Sequence, residues 1–229
     1  MYDLYIANKN YSSWSLRPWA LLSELGIPFR EHLVFFEDGS SWERFRKFSP
    51  TGKVPCLMDE GTVVWESLAI AEYVAERHEG VWPKDAKARA WSRSVATEMH
   101  AGFTALRGHC PMNIGLRVRL REIGAELQRD LDRLGELWNE GLSRFGGPFL
   151  SGKNFTAVDA FFAPVAFRVQ TFGLALDDVS LAYAARLREL PSVRRWYEAG
   201  LAETWRPVAH EDDGLGENAV LLEDLRAKA

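Results

Sequence analysis

Two short stretches hold the side chains that could do chemistry. One is Tyr11-Ser12-Ser13-Trp14-Ser15, a row of hydroxyls where a helix is expected to begin. The other runs Ser49-Pro50-Thr51-Gly52-Lys53-Val54-Pro55-Cys56-Leu57, passes through a turn and a short strand, and ends in Trp65-Glu66-Ser67. Val54-Pro55 stands between a Gly-containing turn and an apolar run, where a turn proline can be cis. Glu66-Ser67 closes a strand and opens a helix, where backbone N–H groups collect an anion. Together they suggest a pocket for the backbone and carboxylates of a small peptide. Each feature also has a plainer reading. Serine is a favoured N-cap in any helix, X–Pro bonds are mostly trans, and an acidic residue suits any helix N-terminus.

The elements that must position these residues follow from the pattern. Tyr2–Ala7 reads as a strand and Asn8-Lys9-Asn10 as a loop. A helix is expected over Ser15–Leu25, with Pro18 tolerated only in its first turn and Gly26 as its stop. Phe29–Phe36 alternates as a second strand. Asp38–Phe48 reads as irregular or a short helix. Val54–Met58 and Thr62–Trp65, joined by Asp59-Glu60-Gly61, read as a hairpin, and Ser67–His78 as a helix. The order βαβ then ββα is that of a thioredoxin-like domain over residues 1–80. Residues 81–87 read as a linker, and residues 88–205 as an all-helical domain. Its expected helices are Ala86–Leu106, Leu116–Phe145 broken by Gly146-Gly147-Pro148, an apolar helix behind the capping box Thr156-Ala157-Val158-Asp159, then Leu181–Leu190 and Ser192–Leu201. The tail, 206–229, opens acidic from Pro207, with a weak amphipathic turn near Val220–Leu225. Arg117, Arg119 and Arg121 read as a solvated helix face.

The chain has 229 residues, enough for one large domain or two small ones, and its 47% apolar share is that of a globular protein. A net charge of -4 and a pI near 5.8 argue against a broad nucleic-acid footprint. The two cysteines, Cys56 and Cys110, lack CxxC spacing and a nearby His cluster, so neither a disulfide framework nor a metal site is expected. The opening Met-Tyr-Asp-Leu-Tyr lacks the regions of a signal peptide, and no apolar run approaches the ~20 residues of a membrane helix. A cytoplasmic protein is expected. The nine tryptophans are scattered and read as core packing.

The motifs above resemble those of the glutathione transferase family, over about residues 1–205. They are most similar to the serine-type members, closest to zeta-like bacterial ones. The zeta motif is Ser-Ser-Cys-Ser with Arg two residues later; here stand Ser12-Ser13-Trp14-Ser15, Leu16 and Arg17. The first serine of that motif activates the thiol, so the resemblance gives that role to Ser12. Tyr11 is the alternative hydroxyl, as in tyrosine-type classes. Trp14 replaces the cysteine. That weakens the link to the zeta isomerase reaction and removes the nucleophile of disulfide-exchanging classes.

The resemblance implies glutathione as a substrate, no metal, and a homodimer. Val54 would pair its backbone with the cysteinyl unit, and a cis Pro55 would turn that backbone toward the pocket. Ser67 would bind the γ-glutamyl carboxylate, and Glu66 would face the α-amino group. Lys53 or Lys47 would meet the glycyl carboxylate, and Ser13 and Ser15 would complete the glutathione site. The second substrate would lie between the domains near Phe103, Arg107, Cys110 and Met112. Arg17 is expected to be structural, and His100 and His109 ordinary surface or core residues. A free thiol has a pKa near ~8.5, so only roughly 7% is thiolate at about pH 7.4. Lowering that pKa by about two units takes about 2.7 kcal/mol. A helix N-terminus supplies ~0.3–2 kcal/mol and a hydrogen bond to the charge about 1.5–3 kcal/mol, so one aimed hydroxyl suffices. The implied activity is attack of the thiolate on an electrophilic carbon. Its rivals are isomerisation of a maleylacetoacetate-type double bond and non-catalytic glutathione binding.

Overall fold

The computed structural model describes residues 1–214 and 218–226. Its first part is built on a mixed sheet of order β2-β1-β3-β4. Strand β1 (Tyr2–Ile6) alternates buried and half-buried side chains, as a strand with helices on one face must. It pairs in parallel with β2 (Phe29–Leu33) and antiparallel with β3 (Cys56–Asp59), which turns through Glu60-Gly61 into β4 (Thr62–Trp65). Helix α1 (Ser13–Glu24) makes the β1–β2 crossover, α2 (Trp42–Phe45) is one turn, and α3 (Ser67–Ala75) follows β4. This is a thioredoxin-like domain. α1 begins two residues before its expected start, so Pro18 sits inside the helix rather than in its first turn. The missing N–H deprives the Trp14 carbonyl of its helical partner.

The second part is helical: α4 (Ala86–Ala101), α5 (Thr104–His109), α6 (Ala125–Phe145), α7 (Ala157–Phe172), α8 (Asp178–Glu189), α9 (Pro191–Ala202) and α10 (Val208–Gly214). The aromatic α7 is buried along nearly its whole length and packs against α1. The expected linker is no loose tether: Val81 and Trp82 are in the core, and the Ala157 N–H donates to the Val81 carbonyl at 2.8 Å.

Several expectations are corrected. The single helix over 86–106 is broken at Gly102 and Phe103. Phe103 takes φ 52, and a Cβ on Gly102 would meet the Glu98 carbonyl at 2.8 Å. The helix expected from Leu116 starts only at Ala125. Leu116–Leu120 is instead strand β5, paired antiparallel with β6 (Ala219–Asp224). Leu116, Val118 and Leu120 alternate with arginines, a period of two, but their partner lies a hundred residues away. That strand also replaces the amphipathic turn expected near Val220–Leu225. Arg117 and Arg119 therefore ride on a strand, and Arg121 follows it. Tryptophans divide between core and surface: Trp138 and Trp196 are fully buried, whereas Trp42 is half exposed. Among the described residues no helix is long and apolar enough to cross a membrane, and no cluster of metal-ligating side chains forms.

Candidate functional site

The first motif meets the Gly52-Lys53-Val54 part of the second, while Glu66 and Ser67 do not line the same cavity. A cavity of about 530 Å³ is walled on one side by Tyr11, Ser12, Ser13 and Trp14 and on the other by Gly52, Lys53 and Val54. Phe36, Trp42 and Phe45 complete the first-domain wall, and Ala209 and His210 of α10 close it from the tail. A wider groove of about 700 Å³ at α6 is lined by Gln128, Asp132, Glu136 and Asn139, and none of its lining residues offers a hydroxyl or a cation.

The loop before α1 is fixed from behind. The Lys9 N–H donates to Glu203 at 2.6 Å, the Asn10 side chain bonds Asn113 at 2.8 Å, and Trp196 donates to the Lys9 carbonyl at 2.8 Å. The Ser12 N–H is held by the Asn8 carbonyl at 2.8 Å. Ser12 occupies the N-cap position of α1 yet makes no side-chain capping bond. Its hydroxyl donates instead to Ser15 Oγ at 2.7 Å, and Ser15 Oγ accepts the Ala7 N–H at 3.2 Å. Ser13 Oγ accepts from Arg168 Nη2 at 3.4 Å. Tyr11 is already engaged. It donates to Glu211, accepts from Arg226 at 2.7 Å, and is pushed up to about 12, chiefly by burial and then by the Glu211 bond. His210 stacks on Tyr11 and against Phe36, and burial lowers its pKa.

The Val54–Pro55 bond is cis. Glu66 takes φ 71, a left-handed conformation uncommon for a residue with a side chain, and such outliers cluster at functional sites. It sets the start of α3, where Ser67 is fully buried and its Oγ has no partner. Buried hydroxyls are nearly always bonded. Glu66 is exposed and lies 3.8 Å from His100 Nε2. Pro55 is buried behind the cavity wall, and Lys53 and Lys47 are exposed.

Phe103, Cys110 and Met112 are packed in the core rather than along the cavity. Burial raises Cys110 to about 12 and Cys56 to about 11, so both thiols are inert. Arg107 is half-buried, with its guanidinium 5.1 Å from the Trp14 ring centre, and it donates to the carbonyls of His100 and Gly102 across the α4–α5 break. Arg17 stacks on the Trp14 ring at 4.1 Å and on Phe161 at 4.9 Å. Sequence reasoning passed over Arg168 and the tail contributors His210, Glu211 and Arg226. Arg168 sits about two and a half helical turns beyond the capping box in an apolar helix, a lone cation that is itself a signal; the tail residues carried none.

Residues 11–77 match the family model described as glutathione S-transferase, N-terminal domain, and residues 115–199 match glutathione S-transferase, C-terminal domain. The glutathione S-transferase-like protein OpS6 of Beauveria bassiana is 26% identical over 216 residues, covering 84% of this chain and 92% of that protein. A probable maleylacetoacetate isomerase of Caenorhabditis elegans is 26% identical over 177 residues, covering 76% of this chain and 81% of that protein. The crystal structure of a glutathione transferase homolog from Burkholderia GL BGR1, with bound glutathione, superposes with a TM-score of 0.65 at 23% identity, over 88% of this chain and 99% of that one.

Proposed function

Because the chain belongs to the glutathione S-transferase family, we propose that it binds glutathione in the cavity between Ser12 and Val54 and activates the thiol for attack on an electrophilic small molecule. The observation that carries this reading is the meeting of Ser12, Ser13, Lys53 and Val54 around one cavity, beside a cis Pro55. Ser12 gives its hydroxyl to the thiolate. Ser15, bonded to the Ala7 N–H, then turns its own proton toward Ser12 Oγ. Val54 pairs with the cysteinyl backbone, and Lys53 meets the glycyl carboxylate. Ser67, with its unpartnered hydroxyl at the start of α3, takes the γ-glutamyl carboxylate, and Glu66 the amino group.

An extended tripeptide spans ~10 Å, so thiol and γ-glutamyl carboxylate need separate anchors. Ser67→Ala is therefore expected to weaken glutathione binding more than it moves the thiol pKa, measured by calorimetry and by ultraviolet titration of the bound thiolate. Unchanged affinity in that variant removes the second anchor. A wild-type protein that binds glutathione without lowering its thiol pKa is a binder, not a transferase. Turnover of a maleyl substrate would place the activated thiol in an isomerase, for which the nematode relative is the motive.

A cytoplasmic homodimer completes the proposal. Trp65 is 39% exposed beside α3, where Leu68 and Tyr73 are only partly covered. Sedimentation at micromolar protein is expected to give about twice the monomer mass, since symmetric pairs are the commonest assembly. A single species at 26.0 kDa rejects it.

A further inference from the structure

We propose that Arg17, Arg107 and Arg168 form a carboxylate site behind Ser13 and Trp14 that selects electrophiles bearing an acidic group. The inference rests on the transferase reading above. The three arginines come from α1, α5 and α7 and converge on one spot. Arg17 and Arg107 approach the Trp14 ring, and Arg168 donates to Ser13 Oγ. Ser13 and Trp14 are themselves walls of the cavity.

Among the described residues no carboxylate lies within ion-pair distance of any of the three. Glu66 acts on Arg17 only through space and points to His100 instead. Arg17 is 2% exposed and Arg168 5%. Buried charges are ordinarily paired, and like charges packed together repel. Burial and the neighbouring guanidiniums accordingly hold both below the ordinary arginine range.

The ring contacts satisfy only the faces of Arg17. Its edge donors Nε and Nη1 have no partner, nor have Arg168 Nε and His100 Nδ1. The edge of a guanidinium is the part that matches a carboxylate. Two of the three cations come from the second domain. The carboxylates of glutathione have their own anchors at Ser67 and Lys53.

The test pairs 4-chloro-3-nitrobenzoate with its methyl ester, as substrates with glutathione and as ligands of protein saturated with S-methylglutathione, which has no free thiol. Wild type is expected to prefer the acid, by kcat/KM and by calorimetric Kd. Arg107→Met and Arg168→Met should each reduce the acid-to-ester preference by roughly 10- to 100-fold, the worth of a hydrogen bond to a charged group, while Arg168→Lys keeps part of it. Should Arg168→Met fail to fold, the half-buried Arg107→Met decides. Binding of the acid without turnover leaves the site standing and removes the transferase reading. Equal binding of acid and ester by wild type, an unchanged ratio in Arg107→Met, or loss of glutathione affinity in that variant in place of acid affinity overturns the proposal.

Discussion

Ser12→Ala is expected to cut glutathione-dependent turnover by roughly 10²–10³, the usual cost of deleting one donor aimed at developing charge, and to leave the fold intact. The sequence alone weighs this role against capping, since serine is a common N-cap. A capping serine would cost ~1 kcal/mol of stability when removed. In the structure Ser12 lines the cavity and makes no capping bond; its hydroxyl donates to Ser15 Oγ at 2.7 Å. Loss of that hydroxyl should thus appear in the thiolate rather than in the melting curve. Ultraviolet titration of the bound thiol should show its pKa rising toward the free value of ~8.5, and steady-state rates should fall with it. Ser15→Ala should cost less, because Ser15 acts on the sulfur only through Ser12. Rates near wild type for Ser12→Ala would pass the role to Ser13, whose oxygen already accepts from Arg168 and whose proton is free for a thiolate. Tyr11 is the weaker candidate, its proton being committed to Glu211.

What the sequence reveals is what local pattern controls. Strand alternation in Tyr2–Ile6, the Asp59-Glu60-Gly61 turn and the Glu66-Ser67 junction are all set within a few residues, and they place the first domain. Gly102 and Phe103 interrupt an otherwise continuous helical pattern: a side chain at Gly102 would run into the Glu98 carbonyl that accepts its N–H, and Phe103 takes φ 52. That turn brings Arg107 to Trp14. Strand β5 was hidden because Leu120 and Ile123 join a leucine series that continues into α6, while its partner β6 lies in the tail. The tail also reaches the cavity through partners that no spacing could reveal. Arg226, whose side chain is 2% exposed, bonds Tyr11 and the carbonyls of Glu203 and Trp205. Charge clusters such as Arg17, Arg107 and Arg168 are similarly assembled across α1, α5 and α7, and of the three only Arg168, a lone cation in an apolar helix, stands out in its own segment.

Asp159→Ala is the largest expected loss of stability. Read as a capping box alone, Thr156-Ala157-Val158-Asp159 predicts a cost of ~0.5–2 kcal/mol. The structure asks more of this carboxylate. It accepts the Leu150 N–H at 3.0 Å, the Thr156 N–H at 2.9 Å, the Thr156 hydroxyl at 3.2 Å and the Tyr183 hydroxyl at 2.8 Å, and it is fully buried. Alanine leaves those donors unbonded in the core, which should cost about 3–5 kcal/mol, or roughly 6–20 °C of melting temperature for a chain of this size. Glutathione affinity of the folded fraction should stay nearly unchanged, because the box lies in the second domain. The effect carries a pH signature. Burial outweighs the hydrogen bonds and pushes Asp159 up to about 6 from its ordinary 3.8. The folded chain then holds this proton more tightly than the unfolded one, so the group's contribution is full below about pH 4 and declines as pH rises through about 6. The stability gap between wild type and Asp159→Ala, taken from urea melts, should be wider at pH 5 than at pH 7.5. A gap of equal size at both would mean that Asp159 ionises as an ordinary carboxylate, and an unchanged urea midpoint at either pH would mean that the box does not hold the start of α7.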